Sequence, residues 1–114
     1  MSECLFCRIA ARQIPAEIVE ETADLLAFND LHPQAPLHAL IIPKTHIANL
    51  SELTETTAPL MTKMVLMAKQ VATRHAAAEA GYRVVVNCGP QAGQSVDHLH
   101  LHLLGGRRLT WPPG

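Results

Sequence analysis

Hydrophobic spacing divides this chain into short alternating or apolar stretches and two helical ones. In "CLFCRIAARQIP", Leu5, Phe6, Ile9 and Ala10 fall at helical spacing, with Arg8 and Arg12 off that face and Pro15 closing the segment. "EIVEET" and "LLAFND" are strand-length pieces around Ala23 and Asp24, a hairpin pattern. "DLHPQAP" carries two prolines in four residues and predicts a loop, and "LHALIIP" predicts an apolar strand ending at Pro43 with His38 inside it. Leu60, Met64, Met67, Val71 and His75 form a helical stripe, with Lys63, Gln70 and Arg74 off it. They predict one long helix from about Thr56 to Ala80, with Pro59 in its first turn and Gly81 as its stop. "RVVVN" and "VDHLHLHLL" predict two last strands around the glycine-containing loop "CGPQAGQ", and "GGRRLTWPPG" cannot be helix. Helix, three strands, helix, two strands, with hairpin-like links, predicts an α+β fold with a mainly antiparallel sheet.

Composition narrows the function classes. The chain has 114 residues, one domain by length, and 48% are apolar, which argues for a folded core. The formal net charge of −1 gives no broad basic field, so a DNA or RNA duplex is not expected as a partner. No apolar run approaches ~18 residues, so no membrane span is expected, and "MSECLFCRIA" lacks the pattern of an export signal. The expectation is cytoplasmic. In a reducing compartment three cysteines do not suggest structural disulfides. Cys4 and Cys7 have metal-ligand spacing, and two histidines could complete a tetrahedral zinc site; packing of a buried pair is the plainer alternative. Cys88 reads as a buried small residue, His32 as a loop residue and His75 as helix packing.

The distinctive chemistry is in "DHLHLHLL", where His98, His100 and His102 alternate with Leu99, Leu101 and Leu103. On a strand these two sets occupy opposite faces, leucines toward the core. A solvated polar face explains one histidine better than three. A single metal held by all three would need a sharp bend, because same-face neighbours lie roughly 6–7 Å apart. A division of labour suits the pattern better, with an end histidine turned to a partner element and the others facing a cleft. "GPQAGQS" precedes the triad; its glycines let N–H groups converge on an anion and Ser95 adds a hydroxyl. Imidazoles beside such a loop point to phosphoryl chemistry, one attacking phosphorus and another holding the oxyanion or moving a proton.

"HLHLHLL" resembles the His-φ-His-φ-His-φ-φ motif of the histidine-triad (HIT) superfamily, φ being apolar. "IPAEIV", "AFNDLHPQAPLHALIIPKTHI", "GYRVVVN", "GQSV" and "GGRRLTWPPG" resemble stretches of its Hint branch, so the likeness covers nearly the whole chain. The loop "GPQAGQSV" is equally similar to that of the Fhit branch, which cleaves dinucleoside polyphosphates. Asp97 departs from the pattern, since Hint relatives commonly carry an aromatic there.

The resemblance implies a single HIT domain over residues 1–114, with 104–114 as a tail reaching toward a dimer partner. It implies a five-stranded antiparallel sheet, one short and one long helix, and a homodimer that continues the sheet. The implied activity is hydrolysis of purine nucleoside 5′-phosphoramidates through a nucleotidyl-histidine, without an organic cofactor. His100 would be the nucleophile, supported by His102, His38 and Ser95. Asn87, Gly93, Ser95 and His102 would surround the phosphate. Leu5, Phe6, Ile9, Phe28 and Leu31 would form the base slot, and Asp30 would bind the ribose hydroxyls. Trp111 would shape specificity at the partner subunit's site. Some relatives with CxxC hold zinc, which here implies Cys4, Cys7, His46 and His98 as ligands. The other expectations to be weighed are a dinucleoside polyphosphate hydrolase, a non-enzymatic nucleotide-binding adaptor, and a purely zinc-stabilised module.

Overall fold

A computed structural model describes residues 3–114; Met1 and Ser2, which begin the segment read for an export signal, lie outside the described residues. The elements run α1 (Leu5–Ala10), β1 (Ile18–Glu21), β2 (Leu25–Asn29), β3 (Leu37–Pro43), α2 (Ala58–Arg74), β4 (Tyr82–Val85) and β5 (Leu101–Gly105), with two single 3₁₀ turns in the connections. The strands form one sheet in the order β1-β2-β3-β5-β4, with every neighbouring pair antiparallel. No helix among the described residues is long and apolar enough to cross a membrane.

β3 sits at the centre, and all seven of its residues are buried. That is why "LHALIIP" reads as a nearly continuous apolar run: both of its faces are covered. On one face Leu37, Ala39 and Ile41 meet Leu25, Ala27, Leu101 and Leu103 under Met64, Met67, Ala68 and Val71 of α2. On the other face Leu40 and Ile42 join Leu26 and Phe28 under Phe6 and Ile9 of α1. β2 and β3 hold these sets in register, pairing Phe28 with Leu40 and Leu26 with Ile42.

The long helix is shorter than its sequence suggests. It ends at Arg74, with His75 as cap and Ala76 at φ 56°. Ala76 N–H donates to Thr73 O (3.2 Å) and Ala77 N–H to Ala72 O (2.9 Å), the double bond of a Schellman cap. Ala77, buried in the core, anchors that turn, so the helix stops seven residues before Gly81. His75 is exposed, its Nδ1 turned back to Val71 O, rather than packed as its stripe position suggested. Cys88 is half-buried beside the Ser51 hydroxyl rather than buried.

The last strand also starts later than its apolar alternation suggests. Val96 to His98 form a bend, in which His98 N–H donates to Val96 O (2.8 Å). Leu99 N–H then bonds Ile47 O (2.6 Å), and regular pairing begins only at Leu101. The strand runs on through Gly105, so the tail begins at Gly106 rather than at 104.

Candidate functional site

The bend before β5 separates the three histidines. Leu99, Leu101 and Leu103 are fully buried toward α2, as the alternation predicts. The opposite side is no solvated face either, for His98 and His100 are buried too. What covers them is α1: Phe6 packs edge-on against His98, His100 and Phe28, with ring centroids 5.9, 5.1 and 5.4 Å away.

His98 turns toward the first turn of α1. Its Nδ1 lies 3.2 Å from Cys4 Sγ, 3.5 Å from Cys7 Sγ and 3.2 Å from His46 Nδ1, and Cys7 Sγ lies 3.3 Å from His46 Nδ1. All four atoms fall within 4.8 Å of one another. An ion bound by sulfur at about 2.3 Å and nitrogen at about 2.0 Å spaces its tetrahedral ligand atoms roughly 3.3–3.8 Å apart. The cluster therefore already has the dimensions of a four-ligand metal site. Its tautomer fits as well. His98 Nε2 lies 2.8 Å from the Pro43 carbonyl, which can only accept, so the proton is on Nε2 and the Nδ1 lone pair is left for an ion. Burial holds the His98 pKa below its usual value, which favours that neutral form.

His100 and His102 take opposite tautomers, each fixed by its neighbours. His100 Nδ1 lies 2.7 Å from the His98 carbonyl and must donate to it, so Nε2 carries the lone pair. Gln34 N–H donates to His38 Nδ1 at 3.0 Å, which puts the His38 proton on Nε2. His38 Nε2 then donates to His102 Nδ1 at 3.0 Å, with Asp30 Oδ2 3.5 Å away. His102 is left with its proton on Nε2. The two rings, with centroids 5.0 Å apart, thus present a nucleophilic nitrogen and a hydrogen-bond donor side by side. Burial, then the nearby His100 and His38, push the His102 pKa down to about 4, against the opposing pull of Asp30. Burial lowers His38 as well, again opposed by Asp30. Both imidazoles are therefore neutral at pH 7, and the relay of tautomers is retained.

These rings border a cavity of about 320 Å³. All six residues expected to bind the nucleoside line it: Leu5, Phe6, Ile9, Phe28, Asp30 and Leu31. Ser95, His100 and His102 line it too. Asp30 is shaped for a polar contact: its Oδ1 already accepts the His32 N–H at 2.8 Å, which fixes the carboxylate. His38 and Asn87 lie instead along a second cavity, which also includes His102. Gly93, exposed and left-handed at φ 85°, lines neither of these two cavities. Trp111 is 81% exposed on the tail. The sequence reading missed seven further residues that line the first cavity, Leu40, Val96 and His32 among them. Leu40 had a signal, since it shares the His38 face of β3 at a spacing of two.

The HIT domain family matches residues 11–109 of the chain. An uncharacterized HIT-like protein of Synechococcus elongatus is 52% identical over 115 residues, covering all of both chains. Among solved structures, a HIT family hydrolase from Legionella pneumophila is similar at 49% identity and a TM-score of 0.97, over 98% of this chain and all of that one. A HIT family hydrolase from Clostridium thermocellum is similar at 44% identity and a TM-score of 0.94, over 96% of each chain.

Proposed function

The chain belongs to the HIT domain family, and on that premise we propose that it hydrolyses purine nucleoside 5′-phosphoramidates to a nucleoside monophosphate and an amine. The relatives named hydrolases support the reaction type. One observation carries the reading: the opposed tautomers of His100 and His102 at the mouth of one apolar cavity.

The base lies in the slot between Phe6, Ile9 and Phe28, and Asp30 accepts hydrogen bonds from the ribose hydroxyls. The His100 Nε2 lone pair attacks the α-phosphorus and forms a P–N bond. The substrate's own P–N bond breaks, and the departing nitrogen keeps the electron pair. That nitrogen takes up a proton from water through the Ser95 hydroxyl at the cavity mouth. His102 Nε2–H donates to a non-bridging oxygen as negative charge develops there. Asn87 and the loop at Gly93 complete the phosphate's surroundings. Water then attacks the same phosphorus, the bond to His100 breaks, and the proton released by water passes to solvent. His38 keeps His102 in the donor tautomer throughout.

The Cys4, Cys7, His46 and His98 cluster suits zinc, since two thiolates and two neutral imidazoles are a usual tetrahedral donor set. A bound zinc ion would supply fixed coordination for these side chains. The chain's own part is to tie α1 to the bend before β5, and so to hold Leu5 and Phe6 against the nucleoside. A reducing, cytoplasmic setting agrees with such thiolates. A homodimer through the β4 edge agrees with the exposure of Tyr82 and Val84 there and of Val65 and Leu66 on α2. In that assembly Trp111 reaches the partner's site.

The test is to quench a reaction with adenosine 5′-monophosphoramidate in alkali, digest, and locate the adenylyl group by mass. It is expected on the peptide containing His100, and His100→Ala is expected to lose turnover by at least about 10⁴-fold while keeping its cooperative melt. An adenylyl group on another residue, or full activity in that variant, overturns the reading. Preference for diadenosine triphosphate over the phosphoramidate would move the assignment to the dinucleoside polyphosphate hydrolases. Metal analysis of protein purified without added metal should find close to one zinc per chain.

A further inference from the structure

The second cavity carries a charge that the phosphoramidate reaction does not require. Strand register places Arg83 opposite Leu104, and Leu104 opposite His38, so all three side chains share the sheet face that carries His102. The cavity on this face has a volume of about 320 Å³ and is lined by His38, His102, Asn87, Leu104, Arg83 and Arg107. His102 lines both cavities, whereas His100 lines only the first. A phosphorus held at His102 and attacked from His100 therefore adjoins the second cavity, which offers the leaving group a space outside the nucleoside slot.

The two cavities differ in charge. The first contains the Asp30 carboxylate, suited to ribose hydroxyls; the second contains two guanidinium groups and no carboxylate. Four of the chain's other cations are neutralised: Arg12 and Lys44 pair with Glu21, Lys63 with Asp24 and Arg74 with Glu20. Among the described residues Arg83 and Arg107 pair with no carboxylate. Backbone carbonyls hold them instead. Arg83 Nη2 donates to Thr110 O at 2.9 Å, and Arg107 donates through Nε to Gln34 O at 2.8 Å and through Nη1 to Arg108 O at 2.9 Å. A neutral acceptor orients a guanidinium without cancelling its charge, and its remaining N–H groups stay available. Two cations fixed in advance beside a phosphoryl-transfer centre lose little entropy when an anion arrives.

We propose that the cavity between Arg83, Arg107 and Asn87 is a leaving-group subsite selective for an amine that bears an anionic group, a carboxylate or a phosphonate-like oxyanion. The proposal rests on the phosphoramidase reading of His100. Its chemistry is that of the reaction above. The P–N bond to the amine breaks, the amine nitrogen keeps the electron pair and gains a proton, and the anionic amine departs past the two arginines.

The test compares three adenosine 5′-phosphoramidates whose amines are similar in size and basicity: those of β-alanine, 2-aminoethylphosphonate and n-butylamine. Wild-type protein should cleave either anionic substrate with a kcat/KM on the order of 10-fold above the neutral one. Raising ionic strength should compress that ratio. Arg83→Gln and Arg107→Gln should each bring it toward one, and Arg83→Lys should keep most of it. The anion that gains more tells a carboxylate-bearing from a phosphate-bearing natural leaving group, and a gain for either supports the subsite. A wild-type ratio of one or less overturns the proposal, as does a ratio unaffected by salt and by both glutamine substitutions. The wild-type ratio and its salt dependence need no variant to fold. If none of the three is cleaved, the phosphoramidase reading itself falls, a result distinct from equal cleavage of all three.

Discussion

The two faces of the sheet are covered in opposite ways. The seventeen-residue α2 lies over one, and the core beneath it is entirely apolar, from Leu25 and Ile41 to Leu101 and Leu103. The six-residue α1 lies over the other, and beside its smaller apolar cluster that face buries His38, His98 and His100. A helix of six residues is too short to be stable alone. α1 depends on Phe6 and Ile9, on Cys4 capping its own first turn through the Cys7 N–H (3.4 Å), and on the cluster that joins it to His98. The difference teaches where the fold is specified and where it is put to use. Hydrophobic burial on the α2 face supplies stability that the α1 face gives up by enclosing imidazoles and an open cavity.

Paired substitutions break or sharpen this division. Leu103→Ala removes a fully buried side chain under α2 and should cost about 2–5 kcal/mol in urea unfolding. The dissociation constant of AMP for the folded variant, measured by calorimetry, should stay within about two-fold of wild type. Phe6→Ala also lowers stability, but it removes the ring that contacts Phe28 and His100. It should weaken AMP by on the order of 10-fold. Equal changes in affinity from the two variants would show that the faces are not independent.

The pH dependence of stability belongs to the imidazole face. The His102 pKa is pushed down to about 4 in the fold, against about 6.5 for an ordinary imidazole, so between these values the unfolded chain binds a proton that the native one refuses. Stability is then complete above pH 6.5, is lost as pH falls toward 4, and levels off below; the loss is on the order of 3 kcal/mol. His38, shifted in the same direction, adds to the slope. Urea unfolding at intervals from pH 4 to 7.5 should show this rise, and His102→Gln should flatten it. A slope unchanged in that variant would place the titration elsewhere.

The periodic signal placed the apolar side chains of β3 and β5 correctly, although it overran the start of β5 and the end of α2. β3 stood out because a strand buried on both faces must be apolar throughout, and the leucines of β5 stood out because alternation has one structural meaning. The pocket residues Phe6, Ile9 and Phe28 were legible through family likeness rather than period, since nothing in their spacing says that a cavity opens beside them. The bend at Val96 to His98 was not legible. The His-Leu alternation continues straight through it, and only the hydrogen bond from Leu99 to Ile47, 52 positions away, shows that the chain has left the sheet. That tertiary contact lets His98 serve the cysteines while His100 and His102 face the cavity.

The helix ends were hidden for a local reason, and they give the smallest predicted effect. Both helices finish in Schellman caps whose left-handed residue has a Cβ: Ala76 at φ 56° after α2 and Arg12 at φ 62° after α1. The α1 cap pairs Arg12 N–H with Ile9 O (3.0 Å) and Gln13 N–H with Arg8 O (2.8 Å), matching the bonds of Ala76 and Ala77. Without glycine at either position, the sequence gives no stop signal, and the eye passes on to Gly81. The two differ in what else holds them. Arg12 ion-pairs with Glu21 across to β1, so its side chain contributes to fixing α1. Ala76 is exposed and contributes only its strain. Ala76→Gly should therefore stabilise the protein by roughly 0.5–1 kcal/mol, even after the entropy that glycine adds to the unfolded chain. That corresponds to a rise of roughly 2–5 °C in Tm, measurable by calorimetry. Arg12→Gly relieves the same backbone strain but loses the ion pair and the side chain that spans to β1, so it should gain less. An equal gain from both would mean that the α1 cap is held by its backbone alone, and that the short helix owes nothing to its contact with the edge strand.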